Sequence, residues 1–427
     1  MIDPEVIRKS NQARLEEHQS DLSGLKRQLR RAGHNVDAVL DELAAFDVAL
    51  PSWALGTGGT RFGRFPGPGE PANIGEKLED AAVVHQLTGS TPRISLHIPW
   101  DEPDDPAQLR HQAAEFGLSF DAVNSNTFQD QPGQQHSYKF GSLCHSDAQV
   151  RRQAIRHHEH VIRVGQELGS TAITVWLADG SNFPGQSSLR KSFDRTLASL
   201  HDVYAQLPAD WQLLIEHKPF EPAFYATVVQ DWGSSLMLAQ ALGPRASCLV
   251  DLGHHLPNTN VEQVVARLIT AGRLGGFHFN DSSYGDDDLT AGSIRPYQLF
   301  LIFNELVDAR REFGTRFRPV CMIDQSHNLK DPIEALAMTV DNLQQAYANA
   351  LLVDRPALEH YQTDNDVIMA EHQLQRAFQT DVRPLVREAR RRKSGALHPL
   401  ATFREAGYRQ SAASARRSAS YLPPQNL

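Results

Sequence analysis

At 427 residues the chain can bury one large core, and a barrel of roughly 250 residues with terminal extensions suits that length better than several small domains. The composition, 41% hydrophobic and 22% charged, is that of a globular protein, and no run of roughly 18 uncharged apolar residues offers a membrane span. A net charge of -9 disfavours a nucleic-acid partner, whose phosphates need Lys and Arg, and the three scattered cysteines Cys144, Cys248 and Cys321 suit a reducing compartment rather than a disulfide framework.

Residues 1–45 read as one or two amphipathic helices. Their mixed charges lack the apolar stretch of a secretory signal, so a cytoplasmic protein is expected. From there to about residue 345, short β-rich runs alternate with helical segments, which is the pattern of parallel strands joined by helices. Four such runs are VALPSWALG near 48–56, RISLHIPW at 93–100, LSFDAVNSN at 118–126 and AITVWLAD at 172–179. Four more follow: QLLIEHK at 212–218, SCLVDLGHH at 247–255, LGGFHFND at 274–281 and PVCMIDQSH at 319–327. Between them, segments such as 147–169 and 260–272 carry apolar residues at three- and four-residue intervals.

Eight runs predict an α/β fold, a (β/α)8 TIM barrel over 46–345 with N- and C-terminal helical extensions. In each run the polar or unusual residues (Trp53, His97, Asn124, Trp176, Glu216, His254, Asp281, Asp324) gather toward the C-terminal end, where such barrels build their sites. Residues 346–408 read as further helices, with the basic run Arg390 to Lys393 as a solvated helix end. Residues 409–427, rich in Ser, Ala and Arg, read as a flexible or partner-docked tail.

The last four strands end in Glu216, Asp251 with His254, His278 and Asp324, and Asp286, Asp287 and Asp288 follow the seventh. Singly, each has an ordinary explanation as a helix cap, a solvated loop acid or a paired histidine. Together they converge on one barrel mouth, and carboxylates so crowded require protonation or divalent cations. Mixed carboxylate and imidazole ligands suit Mn²⁺, Co²⁺ or Mg²⁺, and no Cys stands at a strand end. Glu216 and Lys218, two apart on a strand, share a face; Lys218 can bind a substrate oxygen as it becomes negative or simply pair with Glu216.

Read together, PSWALGTGGTRFGRFPG, SLHIPWD, NSNTFQDQPGQQHSYKFGSL, TVWLADGSNFPGQS, EHKPFEPAFYATVVQDWG, LVDLGHHLPNTN, GGFHFNDSSYGDDDL and MIDQSHN resemble the L-rhamnose isomerases, in particular their bacterial branch of broad aldose specificity. The resemblance implies two Mn²⁺ ions per subunit, with Co²⁺ or Mg²⁺ as substitutes. Glu216, Asp251, His278 and Asp324 would hold a structural ion, with Glu216 able to reach toward a second, catalytic ion held by His254, Asp286 and Asp288; Asp281 and Asp287 are left out. It further implies that His97 and Lys218 contact the sugar, that Trp53, Phe128 and Trp176 form its apolar walls, and that Phe62, in the Gly-rich segment 56–69, reaches a neighbouring site in a homotetramer. That segment lacks the ending of a P-loop and the spacing of a dinucleotide fingerprint.

The implied activity is conversion of an aldose to its ketose, L-rhamnose to L-rhamnulose and also L-mannose or D-allose, by a hydrogen shift between C1 and C2 with Asp324, Lys218 and His97 as the working side chains. The scarcity of free carboxylate bases favours a hydride shift. Two rivals belong to the same barrel. A ketose 3-epimerase is expected to use one metal and a pair of glutamates, whereas a single Glu stands at a strand end here; a phosphodiesterase of the abasic-site endonuclease kind needs a basic face, which the net charge of -9 opposes.

Overall fold

The computed structural model describes residues 1–56, 65, 67–325 and 329–416. Its strands are β1 (Ala49–Pro51), β2 (Arg93–Ser95), β3 (His97–Ile98), β4 (Ser119–Phe120), β5 (Val123–Ser125), β6 (Ala172–Trp176), β7 (Gly180–Ser181), β8 (Gln212–Glu216), β9 (Ala226–Thr227), β10 (Ala246–Asp251), β11 (Leu274–Phe279) and β12 (Val320–Ile323). The second expected run is divided into β2 and β3 by Leu96, and the third into β4 and β5 by Asp121 and Ala122. Counting each divided run once, every run pairs in parallel with the next, and β12 pairs with β1, so the sheet closes on itself. The expected (β/α)8 TIM barrel is the fold, with helical extensions at both ends. A short antiparallel pair, β7 with β9, which the sequence reading did not foresee, lies on the loops after β6 and β8.

Local chemistry sets the helices around the barrel. The segment expected at 147–169 is helical from Ala148 to Leu168, started by the Asp147 carboxylate accepting from the Gln149 N–H at 2.7 Å and ended by Gly169 at φ 87°. The segment expected at 260–272 is helical over Val261–Thr270 beneath an Asn260 cap. Barrel and helices meet through continuous aromatic packing: Phe277, Phe279 and Phe303 stack at centroid spacings of 5.2 and 5.5 Å.

The extensions are more divided than expected. The N-terminal 45 residues form three helices, Pro4–Ala13, Leu15–Arg31 and Val36–Ala45; Arg14 interrupts the first two, and Gly33 at φ 88° and the capping Asn35 separate the third. The last barrel helix runs Pro332–Leu351, past the boundary expected at 345, because buried Ala346, Tyr347 and Ala350 continue its apolar face. Arg390 is not part of a solvated helix end: it is buried against Asp341, while Arg391 and Arg392 pair with Glu388 at 2.8 and 3.3 Å. The segment expected to be a tail from 409 is folded at its start, as helix Tyr408–Ala415, with Arg409 bound to Asp331 and Asp80 and Arg416 to Glu79 and Asp80. Residues 417–427 lie outside the described residues.

Candidate metal and sugar site

A parallel barrel aims the ends of its strands at one mouth, and register decides which side chains meet there. Trp176 lies beside Glu216, and Asp251 beside His278, at the ends of β6, β8, β10 and β11. Glu216 Oε1 lies 3.1 Å from His254 Nδ1 and 3.2 Å from His278 Nδ1, so one oxygen sits between both imidazoles. His278 Nδ1 is also 3.4 Å from Asp324 Oδ2 and 3.8 Å from Asp251 Oδ2, and His254 Nε2 is 3.2 Å from Asp286 Oδ2.

Two groups of potential ligand atoms result, Glu216, Asp251, His278 and Asp324 in one and Asp251, His254 and Asp286 in the other, each drawn within 4.8 Å. Around an ion with bonds of about 2.1 Å, neighbouring ligand atoms stand roughly 3.0–3.5 Å apart, so most of these separations are those of a coordination shell. The first group has the membership expected for the structural ion. In the second, Asp251 stands where Asp288 was expected; Asp288, in the left-handed region at φ 47°, lines the same cavity.

The electrostatics fit a cation. Burial works against charge on His278, but Glu216 and Asp324 raise it to about 10, and burial is likewise outweighed at His254, which Asp251, Asp286 and Glu216 push upward. Burial would raise Glu216 too, yet His278 and His254 hold it below the usual carboxylate range. Asp251 is pushed up to about 7 by burial and by its neighbours Asp324, Asp286 and Glu216, against the pull of His254. Positive charge on two imidazoles thus compensates the carboxylates, and a divalent cation supplies the same compensation. Asn280 donates to both oxygens of Asp251 at 3.0 and 3.1 Å, and the Trp53 indole N–H donates to Asp324 Oδ1 at 2.8 Å, fixing ligand orientation.

These groups open into a cavity of about 140 Å³ whose other wall is aromatic, built from Trp53, His97, Trp100, Phe128 and Trp176. His97 stacks on Trp100 at 4.0 Å, and Phe128 lies 4.4 Å from Trp176. Burial lowers His97 to about 4 despite the carboxylates of Asp101, Asp324 and Glu216, so its ring is neutral near pH 7. Lys218 is buried with Nζ 2.5 Å from Asp286 Oδ2, 3.1 Å from Glu221 Oε2 and 4.9 Å from the Trp176 ring centre. Its charged partners are therefore Asp286 and Glu221 rather than Glu216, at which β8 ends two residues earlier.

A model of the xylose isomerase-like TIM barrel family matches residues 83–297. The chain belongs to this family. It is 56% identical over 416 residues to a probable sugar isomerase of Rhizobium meliloti (strain 1021), covering 97% of each chain. It is equally identical, over 97% of its length and 96% of the relative's, to a probable sugar isomerase of Mesorhizobium japonicum. Among solved structures, an L-ribulose 3-epimerase superposes with a TM-score of 0.52 at 16% identity, over 72% of this chain and 98% of that one. At that identity the likeness concerns the fold alone.

Of the thirteen site side chains that the sequence and its family resemblance predict, twelve lie at or beside the cavity: Trp53, His97, Phe128, Trp176, Glu216, Lys218, Asp251, His254, His278, Asp286, Asp288 and Asp324. Phe62 lies outside the described residues. Asp281 and Asp287, set aside beforehand, bind backbone N–H groups of the loops around them: Asp281 those of Ser282, Ile294 and Arg295, and Asp287 those of Ser283 and Tyr284. Trp100, Asn124, Ser125, Gln129 and Thr174 complete the lining without having been assigned to it. Asn124 is a polar strand end and Trp100 belongs to the segment SLHIPWD, so both carry a signal in the sequence. Thr174, two residues before Trp176 on β6, was legible from strand alternation.

Proposed function

We propose that this protein is a divalent-metal-dependent aldose-ketose isomerase that interconverts L-rhamnose and L-rhamnulose, accepts L-mannose and D-allose as well, and works in the cytoplasm. The observation that carries the reading is the meeting of two carboxylate-imidazole groups with an aromatic-walled cavity at one barrel mouth. Relatives named as probable sugar isomerases along 97% of the chain support it.

One ion would be held by Glu216, Asp251, His278 and Asp324 and a second by His254, Asp286, Asp288 and the shared Asp251; Mn²⁺ is the proposed metal, with Co²⁺ or Mg²⁺ as substitutes. Bound there, divalent cations supply Lewis-acid polarisation of the sugar oxygens. The chain's own residues do the rest. Trp53, Phe128 and Trp176 cover the C–H faces of the open-chain sugar and exclude water. Neutral His97 offers a ring nitrogen to a hydroxyl. Lys218 Nζ, held by Asp286 and Glu221, faces the oxygen that gains negative charge as hydrogen moves between C1 and C2. Asp324, oriented by the Trp53 indole, takes and returns the hydroxyl proton.

Glu216 is the only glutamate in either ligand group among the described residues, and the fourth ligand of the first group is Asp324, which weighs against an epimerase built on two glutamates. A phosphodiesterase would need a wide basic cleft in place of a cavity of about 140 Å³. We further propose self-association, as a homotetramer in which Phe62 reaches the neighbouring site. Loops that follow the barrel strands carry Phe140, Phe183, Phe224, Tyr284 and Leu329, all at least 60% exposed, apolar side chains that self-association would cover.

The test is conversion of L-rhamnose, L-mannose and D-allose by protein stripped with chelator and resupplied with Mn²⁺. Activity lost on stripping and restored by metal is expected. Metal-replete protein that converts none of the three, but epimerises a ketose at C3, would replace this reading with its rival.

A further inference from the structure

Beneath the aromatic wall lies an ion pair that the reaction does not use. Lys77 Nζ is 2.5 Å from Asp101 Oδ1, with the two side chains only 8% and 1% exposed. The other oxygen of Asp101 accepts from the Ser52 hydroxyl and, at 3.1 Å, from the His97 backbone N–H. The Asp101 N–H in turn donates to the His97 carbonyl at 2.9 Å, closing the turn in both directions. One carboxylate therefore ties together the short 3-10 helix Ser52–Ala54, the strand β3 and the helix Ile74–Thr88.

Two of the three segments it ties carry sugar walls. Trp53 follows Ser52, and His97 is itself the anchored residue; their rings meet edge to face at 5.6 Å. Trp53 also donates to Asp324 in the first ligand group.

Stability is a weak reason for such a pair, since an apolar pair of similar volume often serves a fold as well as a buried salt bridge. Lys77 also stands in the first turn of its helix, where the helix dipole disfavours a cation. The chain passes closely over it, so that a Cβ on Gly56 would fall 2.3 Å from Lys77 Cε and displace the end of that side chain.

We propose that Asp101 and Lys77 are positioning residues that set the spacing of Trp53 and His97 across the sugar pocket and, through Trp53, the orientation of Asp324. The proposal rests on the reading of Trp53 and His97 as sugar contacts. Asp101 is the acceptor, Lys77 neutralises it within the protein, and Ser52 transmits the constraint to Trp53.

The experiment uses the full chain with Lys77→Met and Asp101→Leu combined, which removes both charges at once, and Ser52→Ala as a second variant that leaves the ion pair in place. Four quantities are read: melting temperature, Mn²⁺ affinity from the paramagnetic resonance of free Mn²⁺, and KM and kcat on the best aldose. The double variant is expected to melt near the wild type while KM rises roughly tenfold, kcat changes much less and Mn²⁺ binds several-fold more weakly. Ser52→Ala is expected to move KM and Mn²⁺ affinity the same way by less. Wild-type KM and Mn²⁺ affinity in a folded double variant would overturn the proposal. Should that variant not fold, unchanged KM and Mn²⁺ affinity in Ser52→Ala would overturn it. If the wild type binds Mn²⁺ but converts no aldose, the isomerase reading fails, and the Mn²⁺ measurement still decides this one.

Discussion

Replacing Lys218 by Met separates charge from shape at the centre of the site. Met keeps the length and apolar body of the side chain and removes the ammonium from Asp286, Glu221 and the Trp176 ring. Deleting one member of a buried pair costs about 3–5 kcal/mol when its partner is left without compensation. Asp286 keeps His254 Nε2 at 3.2 Å, so the low end, about 3 kcal/mol, is expected. A chain of 427 residues has an unfolding entropy near 0.9 kcal/mol/K, and the melting temperature should fall by about 3 °C, which leaves the protein folded at 25 °C. Activity should respond far more, since loss of one donor to a developing oxyanion lowers kcat by about 10² to 10³. Steady-state conversion of L-rhamnose in saturating Mn²⁺, beside a thermal melt, checks both numbers. A Lys218→Met protein with kcat within threefold of wild type would refute the assigned role, and a fall in kcat explained wholly by lost Mn²⁺ binding would move that role from the substrate to the ligand shell.

Other expectations follow from the same geometry. His278→Ala opens the first ligand group and should abolish tight Mn²⁺ binding as well as turnover, which titration calorimetry on chelator-treated protein measures. The His157 Nε2 accepts the Asn126 N–H at 3.1 Å, and burial together with neighbouring His158, His160 and His97 lowers His157 to about 3. Because the unfolded chain then binds this proton first, stability present above about pH 6.5 is lost as pH falls toward 3, by at most about 4 kcal/mol. His157→Gln should flatten the fall in melting temperature across that window relative to wild type, and parallel curves would rule His157 out. Truncation after Gly407 removes Tyr408, Arg409 and Arg416 from the fully buried Asp80 and should lower the melting temperature by several degrees in a thermal melt. Light scattering tests the proposed homotetramer, for which a mass of four chains is expected and a monomer mass would refute it; with a tetramer in hand, Phe62→Ala should reduce kcat/KM, and unchanged kinetics would refute the proposed role of Phe62.

The barrel was legible because parallel strands buried on both faces write themselves as β-rich runs, and eight of these stood in order. Their subdivision was not: Leu96 and the pair Asp121 and Ala122 interrupt the strands although the Asp121 N–H still donates to the Ile94 carbonyl and the Asn124 N–H to the Leu96 carbonyl, both at 2.9 Å, and nothing in RISLHIPW or LSFDAVNSN marks those points. The pair β7 and β9 depends on two loops more than forty residues apart, Gly180 lying so close to Ala226 that a Cβ would be 2.2 Å from its carbonyl oxygen. Burial of Arg390 against Asp341 was equally invisible, since a run of basic residues reads as solvated whatever helix it meets.

The candidate ligands were legible for a geometric reason. A strand-end residue has its position fixed by register alone, so Glu216, Asp251, His278 and Asp324 could be brought together before any loop was traced. Residues placed by loops carry no such guarantee. Asp288 follows a turn whose course decides whether it or Asp251 completes the second group, and Asp101, Lys77 and Ser52 meet only because a turn after β3, the helix Ile74–Thr88 and the 3-10 helix Ser52–Ala54 converge beside the pocket. The division has a physical consequence for substitution. A change at a strand end removes a ligand and leaves the frame, as at His278, while a change at Asp101 leaves every ligand in place and loosens the frame that aims Trp53 and His97. The first kind should read out as lost metal and lost kcat, the second as raised KM with a smaller loss of metal, and the ratio of those effects measures how far the site depends on the barrel and how far on its loops.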